Sequence, residues 1–302
     1  MTSLSGNILI TGGSGTLGHA IVRTAEREGW DCSFTIYSRS ELRQAQMRMR
    51  HPQARYVLGD VRDAERIAAA VAGHDVVIHA AAMKRLPECD AHPAECYQTN
   101  IGGSLNVLRA CQLHGVGRLI GISTDKACAA TTAYGASKLA MEKAYIAAEG
   151  DTICTLLRYG NVVASNGSVV PIWREQARQG KPLTITNRTM TRFWMAPSDA
   201  VRLIQYAATL DRGQIIVPKM GALSIAAMAQ IVAPGVETVE VGLRFPEKHH
   251  EDLVHPDEHA TEDDTHFFIG HGTPGHRYTS AIAPTLTPAQ FTAMLKEAER
   301  YE

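Results

Sequence analysis

The first 165 residues alternate six short apolar runs with segments of helical period, and this alternation limits the fold more than any other feature of the sequence. The apolar runs are NILIT (7–11), CSFTIYS (32–38), ARYVLGD (54–60), DVVIHAA (75–81), RLIGIST (118–124) and CTLLRYG (154–160). Helical patterns lie between them at 19–29, 64–73, 104–115 and 138–150. Because strands that alternate with helices form a parallel sheet covered on both faces, we predict an α/β, Rossmann-type doubly wound sheet. Its ligands should bind at the carboxyl ends of the strands.

After Gly160 the alternation weakens, which indicates a second and smaller part of the chain. Short strand-like runs, PLTIT, GQIIVPK and VETVEVGLRF, mix there with helical patterns. We predict that residues 1–165 form the sheet domain with the cofactor and the catalytic residues. Residues 166–302 should form mostly a smaller, substrate-binding lobe over the ligand edge of the sheet. We expect an interleaved boundary, with some C-terminal segments returning to the sheet.

The charge balance excludes a chain that binds nucleic acid or membranes through bulk charge. Thirty Lys and Arg residues against 31 Asp and Glu residues give a net charge of −1. No apolar stretch approaches the roughly 18–20 residues of a membrane span, and no basic leader precedes an apolar core, so we expect a cytoplasmic protein.

The six cysteines form no Cys-x-x-Cys pair. His255 and His259 flank Pro256 in an acidic stretch, 247–266, with the composition of a solvated loop, so we expect no metal site.

A glycine-rich segment, TGGSGTLG (11–18), directly follows the first predicted strand and precedes the first predicted helix. Gly12 permits a tight turn, Gly15 lets the backbone approach a pyrophosphate, and Gly18 lets the helix pack closely on the strand. The helix N-terminus adds N–H groups and a positive dipole. The order of strand, turn and helix indicates a dinucleotide-binding site. Its residues are Gly12, Gly13, Ser14, Gly15, Thr16, Leu17 and Gly18.

The end of the second predicted strand indicates which dinucleotide binds. NAD sites usually have a carboxylate there for the ribose 2′-hydroxyl, whereas a guanidinium beside hydroxyls suits a 2′-phosphate. Ser38, Arg39 and Ser40 therefore favour NADP. NAD is the alternative, with Glu41 as the acidic residue. The other expected cofactor contacts are Asp60 and Val61 at the adenine, and the small residues Ala80, Ala81 and Ala82 beside the dinucleotide.

Tyr134 and Lys138 in YGASK (134–138) are four residues apart, so they would share one face of a helix. An ammonium near the phenol lowers the pKa of the phenol, which lets the phenolate take a proton from a substrate hydroxyl. The pair follows the strand that ends in Ile122-Ser123-Thr124, in a chain that already carries the dinucleotide turn. This combination indicates an oxidoreductase-type proton transfer.

These segments resemble those of the extended short-chain dehydrogenases/reductases. Within that superfamily the chain is similar to the soluble UDP-N-acetylglucosamine 4,6-dehydratases that invert carbon 5, which are relatives of the capsular polysaccharide dehydratases. The resemblance rests on TGGSGTLG (11–18), YSRSEL (37–42), GDVRD (59–63), HAAAMKRLP (79–87), TNIGGSLNVL (99–108), STDKA (123–127), YGASK (134–138), RYGNV (158–162), NGSVVP (166–171), MTRFWM (190–195), VPKM (217–220) and RFPEK (244–248). STDKA, MTRFWM and the Arg-x-x-Glu-Lys segment are more specific than the general Rossmann signals.

The resemblance implies a nucleotide-sugar 4,6-dehydratase with a UDP-sugar as the favoured substrate. Oxidation of carbon 4 acidifies the proton on carbon 5, a base removes that proton, and an acid protonates the departing carbon 6 hydroxyl. The hydride then returns to carbon 6. Lys126 is implied as the base and Asp125 as the acid, each with a pKa displaced toward neutrality by burial and by the other. Thr124, Tyr134 and Lys138 complete the implied catalytic set.

The resemblance also implies further binding residues and an assembly. The implied cofactor contacts include Asn100 and Val162, and the implied substrate contacts are Lys84, Asn161, Thr186, Arg192, Arg244 and Glu247. A forked guanidinium such as that of Arg244 binds diphosphate oxygens at two points. The superfamily commonly pairs the helix of Tyr134 and the helix at 104–115 across a four-helix interface, so a homo-oligomer, a dimer or larger, is expected.

Other functions on the same fold stay open. A nucleotide-sugar 4-epimerase would share the oxidation by Tyr134 and Lys138 but return the hydride to carbon 4, and a retaining dehydratase would differ only at carbon 5. Asp125 and Lys126 favour dehydration, because an epimerase needs no acid for a carbon 6 hydroxyl. A non-catalytic NADP sensor is disfavoured, because a sensor needs no proton relay.

Overall fold

The apolar runs of the first half of the chain form adjacent parallel strands. The computed structural model describes residues 4–163, 165, 168–243 and 246–301. The strands are β1 (Gly6–Thr11), β2 (Cys32–Ser38), β3 (Arg55–Leu58), β4 (Val76–His79), β5 (Arg118–Ile122) and β6 (Ile153–Leu157). The helices between them are α1 (Thr16–Glu28), α2 (Glu41–Arg50), α3 (Ala64–Val71), α4 (Leu86–Ala91), α5 (Pro93–Tyr97), α6 (Gly103–Leu113) and α7 (Ala133–Ile146). A π-helical turn (Gln98–Gly102) links α5 to α6, and a 3₁₀ turn (Asp125–Ala127) follows β5.

The second half of the chain contributes shorter strands and four further helices among the described residues. The strands are β7 (Asn161–Val162), β8 (Leu183–Ile185), β9 (Thr191–Met195), β10 (Ile215–Pro218), β11 (Ala222–Ser224), β12 (Thr238–Glu240), β13 (Asp252–Val254), β14 (Ala260–Glu262), β15 (His266–Ile269) and β16 (Tyr278–Thr279). The helices are α8 (Val169–Arg178), α9 (Pro197–Ala207), α10 (Ile225–Val232) and α11 (Pro288–Ala298), and a 3₁₀ turn (Glu299–Tyr301) follows α11. None of the helices in the described ranges is long and apolar enough to cross a membrane.

The main sheet confirms the predicted α/β class. Across the described residues its order is β14-β15-β10-β6-β5-β4-β1-β2-β3. The strands from β3 to β10 are parallel, and β15 and β14 add antiparallel strands at one edge. The strand order reverses between β1 and β4, which opens a crevice at their carboxyl ends. That crevice is where the glycine-rich turn begins.

Three segments after residue 165 return to this sheet. GQIIVPK, which the sequence pattern associates with the smaller lobe, forms β10 beside β6. The acidic stretch 247–266 is not a solvated loop throughout, and Glu251 within it is 3% exposed. It forms β13, which pairs with β16 in a separate sheet, and β14, which joins the main sheet beside β15. A second apolar core, separate from that of the main sheet, packs around Trp173, Trp194 and Phe291.

A buried ion network joins three distant parts of the chain at the end of β6. Arg158 is fully buried and donates to both carboxylate oxygens of Glu142 on α7, at 2.9 and 2.6 Å. It also donates to Glu258 at 2.8 and 2.7 Å, and to the carbonyl of Leu253 at 3.1 Å. Ser123, just after β5, donates to Glu142 at 2.6 Å. The network therefore fixes the catalytic helix and the segment after β13 to the strand ends.

Removing the guanidinium of Arg158 should destabilise the fold strongly. Arg158→Ala leaves two carboxylates without their counter-charge in a buried site, so we expect the free energy of unfolding to fall by about 3–5 kcal/mol. Arg27→Ala is the control, since Arg27 is 59% exposed and pairs with neighbouring Glu28, and exposed pairs contribute about 0–1 kcal/mol. Urea unfolding followed by circular dichroism measures both. Equal losses in the two variants would contradict the structural role of Arg158.

Candidate active site

The glycine-rich turn is shaped by close backbone contacts that only glycine permits. Gly12 has a φ of 66°, and a Cβ there would lie 2.8 Å from the backbone of Ala81. At Gly18 a Cβ would lie 1.8 Å from the carbonyl oxygen of Gly13. Gly15 is the N-cap residue of α1, so no side chain covers the position at which a pyrophosphate approaches the helix. The tight turn and the close packing predicted from the sequence are both present.

A cleft of about 1020 Å³ extends from this turn to the smaller lobe. It is large enough for a dinucleotide and a sugar ligand side by side, since pockets for single drug-sized ligands are about 300–1,000 Å³. The predicted residues that line it are Gly12, Ser14, Gly15, Thr16, Leu17, Ser38, Arg39, Ser40, Val61, Ala80, Ala81, Ala82, Lys84, Thr124, Lys126, Tyr134, Lys138, Asn161, Val162, Thr186, Arg192 and Glu247. The predicted residues absent from this lining, within the described ranges, are Gly13, Gly18, Asp60, Asn100 and Asp125. Arg244 lies outside the described residues.

The end of β2 presents positive charge to the cleft. Arg39 is 55% exposed, and Arg43 on α2 lines the same wall, a neighbour that the sequence analysis missed. Ser38 receives a hydrogen bond from Ser14 at 2.9 Å, which ties the strand end to the glycine turn. Ser40 caps α2 by accepting from the backbone N–H of Arg43 at 3.3 Å. Two guanidinium groups, those of Arg39 and Arg43, therefore line this wall.

Asp60 is absent from the cleft lining, which the next residue, Val61, joins. Its carboxylate accepts from Arg62 at 2.7 Å and lies 3.5 Å from Arg39, whose side chain lines the cleft. The adenine contact of Asp60 stays a prediction.

Asn100 is likewise absent from the cleft lining. Its side-chain amide accepts from the backbone N–H of Met83 at 2.8 Å and donates to the carbonyl of Met83 at 2.8 Å. It also donates to Ser137 on α7 at 2.9 Å. Asn100 therefore fastens the loop after β4 to the catalytic helix, with its polar atoms already paired.

The turn after β5 holds the predicted acid and base. Asp125 has no exposed surface, and its Oδ1 accepts from the Thr124 hydroxyl at 2.9 Å and from Lys126 Nζ at 3.0 Å. Its Oδ2 is buried without a hydrogen-bond partner in the described structure. The backbone N–H of Asp125 donates to the carbonyl of Tyr159 at 3.0 Å, which pins the turn to the end of β6. Thr124 and Lys126 face the cleft, and Asp125 lies beneath them.

Helix α7 approaches this turn through Gly135. A Cβ at Gly135 would lie 2.2 Å from the carbonyl oxygen of Lys126, so the glycine of YGASK allows the contact. Thr132 caps the helix by accepting from the backbone N–H of Gly135 at 3.0 Å. Tyr134 is thereby placed against the turn, where its hydroxyl hydrogen-bonds to Thr124.

The proton affinity of Tyr134 differs from the sequence prediction. Burial raises the pKa of Tyr134 to about 12, while the Lys126 ammonium and the hydrogen bond with Thr124 act in the opposite direction. The lowered phenol pKa that we predicted is therefore not found, because burial outweighs the nearby charge. Burial lowers the pKa of Lys138 to about 8, against the attraction of Glu142. Lys138 Nζ lies 3.2 Å from the Met141 sulfur.

Lys126 also differs from its predicted state. Burial acts to lower its pKa, but the carboxylates of Asp125 and Glu251 outweigh burial and raise the pKa above its ordinary value. Glu251 Oε1 lies 3.4 Å from Lys126 Nζ. The expected shift toward neutrality is therefore wrong for this arrangement, in which Lys126 is an ammonium between two carboxylates.

The end of the cleft farther from the glycine turn is lined by residues from the second half of the chain. Arg192 on β9 is 6% exposed and donates to the carbonyls of Thr191, His249 and Lys248, and to Glu247 at 3.1 Å. Because most of its donors are engaged, Arg192 acts as a brace for the segment 247–249. Thr186 and Asn161 lie on the same cleft wall, with Asn161 donating to the carbonyl of Phe193 at 3.2 Å.

The residues that the sequence analysis missed come from segments far apart in the chain. Glu251 and the pair Arg158–Glu142 carry buried charge at the catalytic turn, but no local motif marks them. An acidic stretch has the same sequence pattern whether a particular glutamate in it is exposed to solvent or buried. Arg43 is the one of these residues that the sequence could have indicated, because it follows Arg39, a predicted cofactor contact, by four residues.

The described residues fit a nicotinamide dinucleotide. The glycine turn leaves space where a Cβ would block the approach to α1, and the cleft continues from there past Ala80 to Tyr134. Arg39 and Arg43 offer positive charge at the ribose end. These residues would hold the cofactor along the carboxyl edge of the sheet.

Comparisons with known proteins agree with this geometry. The chain matches the family described as "Polysaccharide biosynthesis protein" over residues 8–271. A UDP-N-acetylglucosamine 4,6-dehydratase (inverting) of Campylobacter jejuni subsp. jejuni serotype O:2 is 41% identical over 261 residues, which cover 83% of this chain and 78% of the relative. A UDP-glucose 4-epimerase of Rickettsia conorii is 39% identical over 272 residues, which cover 85% of this chain and 80% of the relative.

A solved structure has almost the same fold. The X-ray structure of Pen from Bacillus thuringiensis superposes with a TM-score of 0.89 at 29% identity, covering 98% of this chain and 99% of that one. The family match spans most of the chain, and the parallel sheet, glycine turn and Tyr134–Lys138 helix are those of the dehydrogenase fold. The chain thus belongs to the polysaccharide biosynthesis protein family, within the extended short-chain dehydrogenases/reductases.

Proposed function

We propose that this protein is a nucleotide-sugar 4,6-dehydratase that acts on UDP-N-acetylglucosamine, inverts carbon 5 and prefers NADP. The observation that carries the proposal is the contact between Asp125 and Lys126, 3.0 Å apart at the end of β5 and beside Tyr134. The name of the Campylobacter jejuni relative supports both the reaction and the substrate. The fit of the cleft to a dinucleotide supports the cofactor class.

Oxidation at carbon 4 requires a group that accepts the hydroxyl proton. A bound nicotinamide dinucleotide would supply the hydride acceptor for carbon 4 and the hydride donor for carbon 6. Tyr134 faces the cleft and takes the proton of the carbon 4 hydroxyl, and the positive charge of Lys126 favours the phenolate. Thr124 holds the phenol oxygen in place through its hydrogen bond.

Dehydration requires a base at carbon 5 and an acid at the carbon 6 hydroxyl. Lys126 lines the cleft and takes the carbon 5 proton once its own proton has passed to Asp125 along their 3.0 Å hydrogen bond. That transfer makes an amine and a carboxylic acid from the ion pair, with no net change in protons. One transfer therefore prepares both the base and the acid.

The acid acts through a neighbour, because Asp125 itself has no exposed surface. Its protonated carboxyl lies 2.9 Å from the Thr124 hydroxyl, which lines the cleft. Thr124 donates its proton to the departing carbon 6 hydroxyl and receives the proton of Asp125. This route replaces the direct protonation implied by the resemblance.

The competing function is 4-epimerisation, which the name of the Rickettsia conorii relative favours. The two reactions share the oxidation at carbon 4, so Tyr134 and Lys138 do not separate them. An acid–base pair buried beside the phenol is required only for loss of the carbon 6 hydroxyl. The Asp125–Lys126 contact therefore favours dehydration.

We also propose a homo-oligomer that buries the faces of α6 and α7. Leu113 at the end of α6 is 73% exposed, and Ile146 at the end of α7 is 38% exposed. Apolar side chains at both helix ends suit a contact with the same helices of a second copy.

Loss of water from UDP-N-acetylglucosamine tests the proposed reaction. Purified protein with NADP should convert it to a product lighter by one water, with inverted carbon 5, as seen by mass spectrometry and NMR. Lys126→Ala should reduce turnover by about 10²–10⁴-fold, because it removes the base. Lys181→Ala, an exposed control outside the cleft lining, should retain turnover. A product of unchanged mass that differs at carbon 4 would establish the epimerase instead.

Exchanging the charge at Arg39 tests the NADP preference. Arg39→Asp places a carboxylate where the 2′-phosphate would lie, and such like-charge contacts cost several kcal/mol, so NADP affinity should fall by roughly 100-fold or more. NAD affinity should change much less. Arg50→Asp, an exposed position outside the cleft lining, controls for the general loss of positive charge. Calorimetric titration that finds tighter NAD binding by the wild-type protein would contradict the assignment.

A further inference from the structure

Glu251 is a buried carboxylate at the catalytic turn to which the dehydration chemistry assigns no role. Its side chain is 4% exposed, and its Oε1 lies 3.4 Å from Lys126 Nζ. Its Oε2 is buried and has no hydrogen-bond partner in the described part of the chain. A carboxylate without full hydrogen bonding is costly to bury, so its position beside a cation calls for an explanation.

The fold holds Glu251 in place through its backbone. Its N–H donates to the hydroxyl of Ser280 at 2.9 Å, and the N–H of Ser280 donates back to the Glu251 carbonyl at 2.8 Å. Strand β13 begins at the next residue and pairs with β16. The carboxylate is therefore carried to Lys126 by a paired segment from the far end of the chain.

The charges around Lys126 come from four parts of the fold. They are Asp125 on its own turn, Glu251 before β13, Arg192 on β9, Lys248 in the segment before Glu251, and the Tyr134 phenol on α7. Arg192 Nε lies 3.8 Å from Glu251 Oε1, and Lys248 Nζ lies 4.0 Å from Oε2. Lys126 is the cation nearest to Glu251 in the described structure. A cavity of about 10 Å³ is lined by both Lys126 and Glu251, which is close to the space that one water needs.

We infer that Glu251 is a positioning residue for Lys126: it holds the amine against Asp125 and controls when that amine carries a proton. The inference deepens the proposed function and rests on it for the role of Lys126 as the base. After Lys126 has taken the carbon 5 proton, it is an ammonium and Asp125 is a carboxylate. Glu251 stabilises this ammonium, so the same step restores the ion pair of the resting protein. The protein gives up one proton when carbon 5 is protonated again, and the proton that Tyr134 took from the carbon 4 hydroxyl replaces it.

The reactivity of the Lys126 amine measures the effect of Glu251 on the proton affinity of Lys126, and it needs no substrate. Only a neutral amine reacts with fluorodinitrobenzene, so labelling at a fixed pH reports the neutral fraction of each lysine. Glu251→Gln removes the charge with little change of shape, and an opposite charge at this distance shifts a pKa by about 1–3 pH units. The pKa of Lys126 should therefore fall, and its labelling at pH 9, relative to exposed Lys181, should become at least about tenfold faster. Peptide mass spectrometry quantifies both sites.

Two further variants make the comparison specific. Asp252→Asn removes a charge from the next residue, whose nearest cation in the described structure is Arg277 at 4.0 Å, and it should leave Lys126 labelling unchanged. Glu251→Asp shortens the side chain by one methylene, which moves the charge away from Lys126 and should give an intermediate labelling rate. This variant also tests the inference if Glu251→Gln does not fold. Labelling at the wild-type rate in the Glu251 variants would overturn the inference.

A measurement of the pH dependence of the reaction separates this inference from the proposed function. In heavy water, the acid limb of the pH profile for deuterium exchange at carbon 5 should move to lower pH in Glu251→Gln, because its Lys126 loses the proton more readily. A uniform loss of exchange with no movement of that limb would show a structural role only and overturn the inference. If the wild-type protein dehydrates no nucleotide sugar but Lys126 is labelled faster in the Glu251 variants, the proposed function is overturned. The effect of Glu251 on the proton affinity of Lys126 would then still stand.

Discussion

The buried guanidinium of Arg158 is the interaction on which the arrangement of the site depends. It lies at the end of β6 and binds Glu142 of the catalytic helix and Glu258 of the C-terminal segment. Isolated buried charges are costly, so each partner needs the others in place. The network thereby sets the position of α7 relative to the strand ends and brings the segment 251–258 against the turn after β5. Arg158 thus links the helix that carries Tyr134 to the segment that follows Glu251.

The turn after β5 is likewise built from buried charged groups that depend on one another. Asp125, Lys126 and Glu251 form a cluster of two carboxylates and one ammonium, in which the neighbouring charges raise the pKa of Lys126 and act on that of Glu251. Such a cluster stores one proton that can move between an acid and a base over a single hydrogen bond. In the proposed reaction, one ion pair supplies both the base and the acid of the dehydration, and Lys126 lines the cleft while Asp125 lies beneath it.

The parts of the site that could be predicted from sequence are those determined locally. The glycine turn requires small residues at fixed spacing, and Tyr134 and Lys138 share a helix face because they are four residues apart. The family resemblance also identified Asp125 and Lys126 as a pair. The sequence could not show that Asp125 lies beneath Thr124, because exposure depends on what packs over the turn. Glu258 binds Arg158 across 100 residues of sequence, and no local pattern encodes such a contact.

The partition between carbon 5 exchange and water loss in Asp125→Asn tests the shared-proton account most directly. In heavy water with the nucleotide sugar, this variant has no carboxyl proton for the departing hydroxyl. Without the charge of Asp125 the pKa of Lys126 falls, so its amine forms by loss of a proton to solvent. Water loss should therefore fall by a much larger factor than deuterium incorporation at carbon 5, both measured by NMR on the same sample. Equal losses of the two rates, or a selective loss of exchange, would contradict the assignment of Asp125 as the source of the proton.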